Sequence, residues 1–368
     1  MSATTESIPA PKVRTFPACE GAQYGPKGLH GFIAFLATIK KKHGIPVLGG
    51  QPSNFMLELP KGEQTKKKIF RPAKEILEAF AGQDIRLAGI SAHCPFWVLL
   101  TAWTMSKTIR PFLPADVAKM SPEKIFKWVE EYLIGLLDLC AELGIKIVPM
   151  FWGVAFGWEL ATGYPWGFWA GADYDLLKEG QERFIKMTKR IRAHANSLGI
   201  FLAHEIHPGT AAMCAKDFNM LVKICDGDPC LASNNDGSHA WEGEDNLTRI
   251  VKVGNRTYAT HIKNIRTKPG FPLRSMVPDF PNRAMQFTDL PSGEHNLVRE
   301  VETLIHFGYV ERYCRVMHTD IAPLVGEAES AFRDLDDTSE NGIVYIQNHL
   351  CWPLASGSFE DGMGAEKK

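Results

Sequence analysis

From residue 85 onward the chain alternates short apolar runs with longer amphipathic ones, a rhythm that suits parallel strands joined by crossover helices. The predicted strands are Ile85–His93, Ile145–Trp152, Ile200–Glu205, Cys230–Asp236, Thr257–Lys263 and Ala322–Glu327. Helical patterns lie between them. Pro122–Leu143 sets Ile125, Val129, Leu133, Leu136 and Leu137 on one stripe, and Tyr174–Leu198, Thr210–Asp226, Asp245–Gly254, Asn296–Gly308 and Ala331–Leu350 repeat the theme. Toward the N-terminus, a strand near Val13–Cys19, a helix over Gly28–His43, a strand at Ile45–Leu48 and a helix over Lys66–Ala81 bring the strand count to eight. The expectation is a single (β/α)₈ barrel over residues 15–350, between a leader at 1–14 and a tail at 351–368.

Two segments exceed a minimal barrel. Residues 153–173 are dense in glycine and aromatic side chains, and residues 266–293 are rich in proline. Both follow predicted strands, so both are expected on the C-terminal face, where barrels of this kind build their active sites.

Four predicted strands carry at or near their ends a side chain able to bind a metal: Glu205, Asp236, His261 and Glu327. In a parallel barrel those ends share one mouth, although the residues lie 31, 25 and 66 positions apart. A single acidic residue at a strand end is usually a helix cap or an ion-pair partner. Four ligand-type residues in succession point to a metal instead, because carboxylates clustered without a partner would be costly. Three carboxylates and one imidazole form an oxygen-rich, moderately hard site that suits Mn²⁺, Mg²⁺ or Co²⁺ and tolerates Zn²⁺.

The balance of charge excludes some partners. Lys and Arg total 41 against 42 Asp and Glu, which gives no footing for an extended nucleic acid or an anionic membrane. No apolar run approaches the roughly 18 to 20 residues needed to cross a bilayer. The eight cysteines contain no CxxC pair, and the first residues lack the order of a secretory signal, so a cytoplasmic protein with reduced thiols is expected.

The chain resembles the xylose isomerase-like barrel superfamily of sugar isomerases, epimerases and inosose dehydratases. The likeness rests on LAHEIHPGT, NNDGSH, ATHIKN and PLVGEAES, followed by Asn341-Gly342-Ile343, and covers roughly residues 85–265 and 293–350. It implies one divalent metal, Mn²⁺ foremost, on Glu205, Asp236, His261 and Glu327. It implies that His239 and Lys263 contact substrate oxygens. It also implies that Glu205 and Glu327 remove and return a proton beside the carbonyl of a keto sugar, through an enediolate.

His207 and His93 are further candidates for the general base or for substrate contact, whereas alternation along the strand sends His204 outward. Trp152, Trp158, Trp166 and Trp169 are expected to stack against a sugar ring or an aromatic aglycone, and Trp97 and Trp128 to pack. The two enlarged segments depart from common epimerases of the superfamily. They suit the branch that acts on 3-oxo-glycosides, including the catalytic α subunits of C-glycoside deglycosidases, which cleave by β-elimination and pair with a smaller β subunit. The reading is therefore an isomerase or epimerase, with a 3-oxo-glycoside lyase as the alternative, working as an oligomer or with a small partner subunit. A nuclease resembling endonuclease IV would need a histidine-richer three-metal site and a basic face. A non-catalytic barrel subunit would carry no metal.

Overall fold

Eight parallel strands surround a common axis, as the rhythm of the sequence requires. The computed structural model describes residues 14–65, 68–101, 107–154, 176–240, 244–270, 284–330 and 333–351. The strands are β1 (Thr15–Glu20), β2 (Gly49–Gln51), β3 (Arg86–Leu87), β4 (Ile147–Met150), β5 (Phe201–Glu205), β6 (Leu231–Asp236), β7 (Thr257–Ile262) and β10 (Ala322–Gly326). They pair in the order β3-β2-β1-β10-β7-β6-β5-β4. The seam between β3 and β4 is bridged just past β3, where the Ala92 N–H donates to the Pro149 carbonyl at 2.9 Å.

The helices form the outer layer: α1 (Gly28–His43), α2 (Ala73–Gly82), α3 (His93–Thr101), α4 (Pro122–Glu142), α5 (Leu176–Leu198), α6 (Ala215–Ile224), α7 (Asn246–Val253), α8 (Leu297–His306), α9 (Tyr309–Met317) and α10 (Leu335–Tyr345). No described helix is long and apolar enough to cross a membrane.

Several expected boundaries shift, each for a local reason. Strand β2 begins after Leu48 instead of ending there, because Pro46 has no N–H for a ladder while Gly49 and Gly50 fit the crowded barrel wall. A Cβ on Gly49 would sit 2.8 Å from the Phe16 ring and 3.0 Å from Ala18 Cβ. Helix α2 starts at Ala73 instead of Lys66: Pro72 holds its N-cap, and the residue before a proline avoids helical geometry. The ladder of β3 ends at Leu87, and His93 opens α3 instead of closing a strand, with Pro95 tolerated in the first helical turn. The expected helix over Asn296–Gly308 is followed by a second one, α9, which the sequence reading did not contain.

Between β7 and β10 an antiparallel ribbon forms from β8 (Asn264–Thr267) and β9 (Met285–Thr288). It accounts for the described part of the proline-rich segment and leaves directly from the mouth end of β7. The other enlarged segment lies outside the described residues from residue 155 on, with Trp158, Trp166 and Trp169, as do nearly all of the expected leader and tail.

Strand alternation sorts the side chains into two populations. Phe16, Ala18, Ala88 and Val325 pack together inside the barrel. The opposite faces of the strands pack on the helices: Val148, Met150 and Leu202 in one cluster, Ile262 and Leu324 in another. Small interior residues leave little slack. Gly49→Ala is expected to lower unfolding stability by ~1–3 kcal/mol through overpacking. Gly62→Ala, where nothing lies within 4 Å of the new methyl, serves as the neutral reference. Denaturant midpoints of the two variants measured side by side would check this, and equal midpoints would refute the account of the barrel wall.

Candidate metal centre

The inward-facing population ends, at the C-terminal side of the strands, in polar residues. On β1 the alternation that puts Phe16 and Ala18 inside continues to Glu20, and on β2 it puts Gln51 inside next to Gly49. Strands β5, β6 and β7 contribute Glu205, Asp236 and His261 in the same way, and Glu327 follows β10. The pairing aligns these ends, with Asp236 standing opposite His261 and Val325 opposite His261 on its other side.

The four expected ligands come together. Glu205, Asp236, His261 and Glu327 each offer a ligand atom, and these atoms all lie within 4.8 Å of one another. His261 Nδ1 is 2.9 Å from Glu205 Oε2 and 3.3 Å from Glu327 Oε2. Glu205, Asp236 and His261 are buried. Burial by itself would raise the pKa of each carboxyl, but the neighbouring charges win. His261 and His93 hold Glu205 well below the usual carboxylate range, His239 depresses Asp236, and Lys263 and His261 depress Glu327. Conversely, Glu205 and Glu327 raise the His261 pKa well above its ordinary value against the opposing effect of burial. The cluster thus holds a concentrated demand for positive charge.

Protein cations meet that demand only in part. Lys263 Nζ lies 2.8 Å from Glu327 Oε1 and 2.6 Å from Glu329 Oε2. Asp236 Oδ2, His261 Nδ1 and His93 Nε2 are buried, and although each lies within ion-pair distance of a neighbour, none makes a well-directed hydrogen bond among the described residues. Buried polar atoms are seldom left so, and their convergence fits a cation bound by oxygen and imidazole ligands. Gln51 supports the ring from behind, its amide nitrogen placed 2.8 Å from His261 Nε2. Exchanging the near-identical amide oxygen and nitrogen lets the oxygen accept from Nε2–H and leaves Nδ1 as a lone-pair donor, the tautomer a metal needs.

The other expected site residues divide. His239 Nε2 lies 3.2 Å from Asp236 Oδ2 and 3.5 Å from Glu205 Oε1, so it faces the centre. His93 does so from the start of α3, with Nε2 3.2 Å from Glu205 Oε2 and Nδ1 2.7 Å from Ser91 Oγ. The His207 ring lies 3.9 Å from that of His239. Burial and the neighbouring His239 push its pKa down to about 3, so it is a neutral imidazole. His204 packs outward as expected: its Nδ1 accepts from the Trp152 N–H at 3.0 Å.

Trp152 is a correction. The same alternation that sends His204 outward sends Trp152 outward, where it is buried with its ring edge-on to Phe96 and Phe184. It is a packing residue. Phe151 faces the mouth instead, 4.4 Å from the His93 ring and 4.9 Å from His207.

Several residues escaped the sequence reading. Glu20 is buried, with one oxygen accepting from the Ala22 N–H and the other unpartnered among the described residues; burial and Glu327 raise its pKa. Strand-end position would have revealed Glu20 and Gln51 had the N-terminal register been read correctly. Arg249 on α7 carried no signal, since it looks like one basic residue on an amphipathic helix. It is buried, and its guanidinium donates to the carbonyls of Ile206 (3.3 Å), Asp236 (3.2 Å) and His239 (3.2 Å) while pairing with Glu244. One planar group thereby ties the ends of β5 and β6 together.

A family model described as a xylose isomerase-like TIM barrel matches residues 59–311. No curated protein matches the chain in sequence. Among solved structures, a xylose isomerase-like TIM barrel protein from Mycobacterium smegmatis in complex with magnesium aligns with a TM-score of 0.55 at 16% identity, covering 94% of this chain and 98% of that one. A probable 3-DHS dehydratase from Bacillus anthracis gives 0.54 at 14%, covering 90% and 99%. A D-allulose 3-epimerase from Methylomonas sp. gives 0.52 at 13%, covering 92% and 99%. At such identities the likeness is one of fold.

If the cluster is built for a cation, Asp236→Asn and His261→Gln each reduce Mn²⁺ affinity by more than the roughly 10–100-fold that loss of an outer partner costs, and Arg249→Lys falls within that range. Calorimetric titration of the metal-stripped protein reads all three. Wild-type affinity in all of them would sink the assignment.

Proposed function

The chain belongs to the xylose isomerase-like TIM barrel family, and on that premise we propose that it is a divalent-metal-dependent isomerase or epimerase that moves a proton beside the carbonyl of a keto sugar. One observation carries the reading: Glu205 at the end of β5 and Glu327 just past β10 approach His261 Nδ1 at 2.9 and 3.3 Å with Asp236 completing the set. Two carboxylates around one cation-seeking space are what proton removal and proton return on a single carbon require.

A divalent ion held by Glu205, Asp236, His261 and Glu327 supplies Lewis acidity that lowers the cost of negative charge on a carbonyl oxygen. The protein residues do the rest. One glutamate takes the proton from the carbon next to the carbonyl, and the C–H electron pair moves toward oxygen to give the enediolate. The other glutamate returns a proton to the same or the neighbouring carbon. Asn234 Nδ2 donates to Glu205 Oε2 at 2.8 Å and Lys263 anchors Glu327, which fixes both carboxylates in aim. In this reading Lys263 and His239, which stand against the carboxylates of the centre, donate to substrate oxygens. Lys263 is held protonated against its burial by Glu327 and Asp236. Phe287 of β9 lies over its ammonium at 3.9 Å and shields that side from water.

The apolar wall that Phe151 forms between His93 and His207 favours a second reading, in which the same proton abstraction is followed by loss of a β-substituent from a 3-oxo-glycoside. The eight unpaired cysteines support a cytoplasmic setting for either reaction.

The test is turnover of free-ketose and 3-oxo-glycoside panels in D₂O with Mn²⁺. Isomerase or epimerase chemistry leaves deuterium on the carbon beside the carbonyl of a re-formed sugar, whereas elimination releases a free aglycone. Glu205→Gln and Glu327→Gln are each expected to lower kcat by ~10²-fold or more. Metal content is measured in parallel, and full activity with full metal in both variants would overturn the proposal.

A further inference from the structure

Beside the carboxylate cluster the mouth changes character. Past the ends of β4 and β5, and against α3, lies an open pocket of about 290 Å³ lined by Cys94, Trp97, Phe112, Phe151, Pro208 and one side of His207. Its polar groups are largely turned into the protein. Trp97 Nε1 donates to the Gly209 carbonyl at 2.9 Å, Thr210 Oγ1 donates to the His207 carbonyl at 2.7 Å, and His207 Nδ1 is held against the Pro208 carbonyl. What faces the space is ring and methylene surface, with Trp97 and Phe112 edge to face at 5.9 Å.

The pocket adjoins the metal centre across Phe151 and His207. Phe151 is shared between them, its ring 4.4 Å from His93 and 4.9 Å from His207. His93 Nε2 lies 3.2 Å from Glu205 Oε2, and the His207 ring lies tilted against that of His239, which touches both Glu205 and Asp236. A free ketose carries a hydroxyl on almost every carbon. Placed against this wall those hydroxyls would lose water and gain no partner, which is unfavourable. An aromatic group has no such loss, and its faces match the edge-to-face walls. The size is adequate, since a cavity of about 150 Å³ already holds benzene.

We propose that this pocket is a subsite for a one- or two-ring aromatic substituent carried by the substrate, so that the substrate class is an aryl-bearing keto sugar, with its carbonyl end at Glu205 and Glu327. The identity of the sugar end rests on the function proposed above; occupation of the pocket by an aromatic ring does not.

The experiment separates the two. The probe is 2-naphthol alone, titrated by ligand-observed NMR into the full-length protein loaded with Mg²⁺ and, separately, with Mn²⁺. A dissociation constant of ~1 mM or tighter is expected for a ligand of this size in a fitting pocket. Phe112→Ala should weaken it at least fivefold; Phe112 is 51% exposed, so its truncation leaves the core intact. Trp97→Ala should do the same. With Mn²⁺ in place of Mg²⁺, the naphthol protons should relax faster through the paramagnetic ion, an enhancement lost when His261→Gln removes the metal. No binding at millimolar probe, or binding indifferent to Phe112→Ala, would overturn the subsite. Binding without Mn²⁺ enhancement would overturn its link to the centre. Normal naphthol binding in a protein that exchanges no deuterium into any keto sugar, aryl-bearing or free, would retire the catalytic reading and leave the pocket standing.

Discussion

Three carboxylates and an imidazole brought within 4.8 Å at the mouth of the barrel set the terms for everything around them. Like charges that close in a buried site cannot be left uncompensated, because removing them from water already costs several kcal/mol per ion. The surroundings answer with partial measures. Lys263 leans on Glu327 and Glu329, His239 on Glu205 and Asp236, and His261 is driven toward its protonated form by the glutamates on either side. Asp236 Oδ2 and His261 Nδ1, which keep ion-pair contacts but no well-directed hydrogen bond among the described residues, mark where a cation would complete the set.

Holding such a cluster falls to groups one layer back. Gln51 braces the far side of the His261 ring, Asn234 fixes Glu205, and Arg249 fastens the backbone just after β5 and β6. The ribbon of β8 and β9 adds a roof, with Phe287 over the Lys263 ammonium. Rigidity here is functional: two carboxylates can exchange protons with one carbon only if their separation does not drift.

The mouth is also asymmetric. Acidic and basic groups occupy the arc from β1 through β10 and β7 to β5, whereas the arc near β4 and α3 is aromatic, with Phe151, Trp97 and Phe112. Trp152 lies one residue from Phe151 yet packs between Phe96 and Phe184 in the helical layer.

The amino-acid sequence by itself determined the architecture and the four ligand candidates, because both are written in local terms. The alternation of short apolar runs with amphipathic helices specifies parallel strands, and a ligand-type residue at the end of a strand is visible without knowing its neighbours. The same locality explains what stayed hidden. The two-residue alternation was legible for His204 and was equally available for Trp152, which went unread. Strand β2, built on Gly49 and Gly50, has no apolar signature, since its glycines answer to the Phe16 and Leu36 side chains that crowd them. With that register lost, Glu20 and Gln51 could not be placed. Arg249 and Phe287 act through carbonyls and an ammonium that lie far away in the chain, and no window of residues records such a contact. Only the tertiary structure decided which side chains surround the cluster, which atoms lack a partner, and where the polar mouth gives way to an apolar wall. These are properties of distance between segments, fixed when the barrel closes and not before.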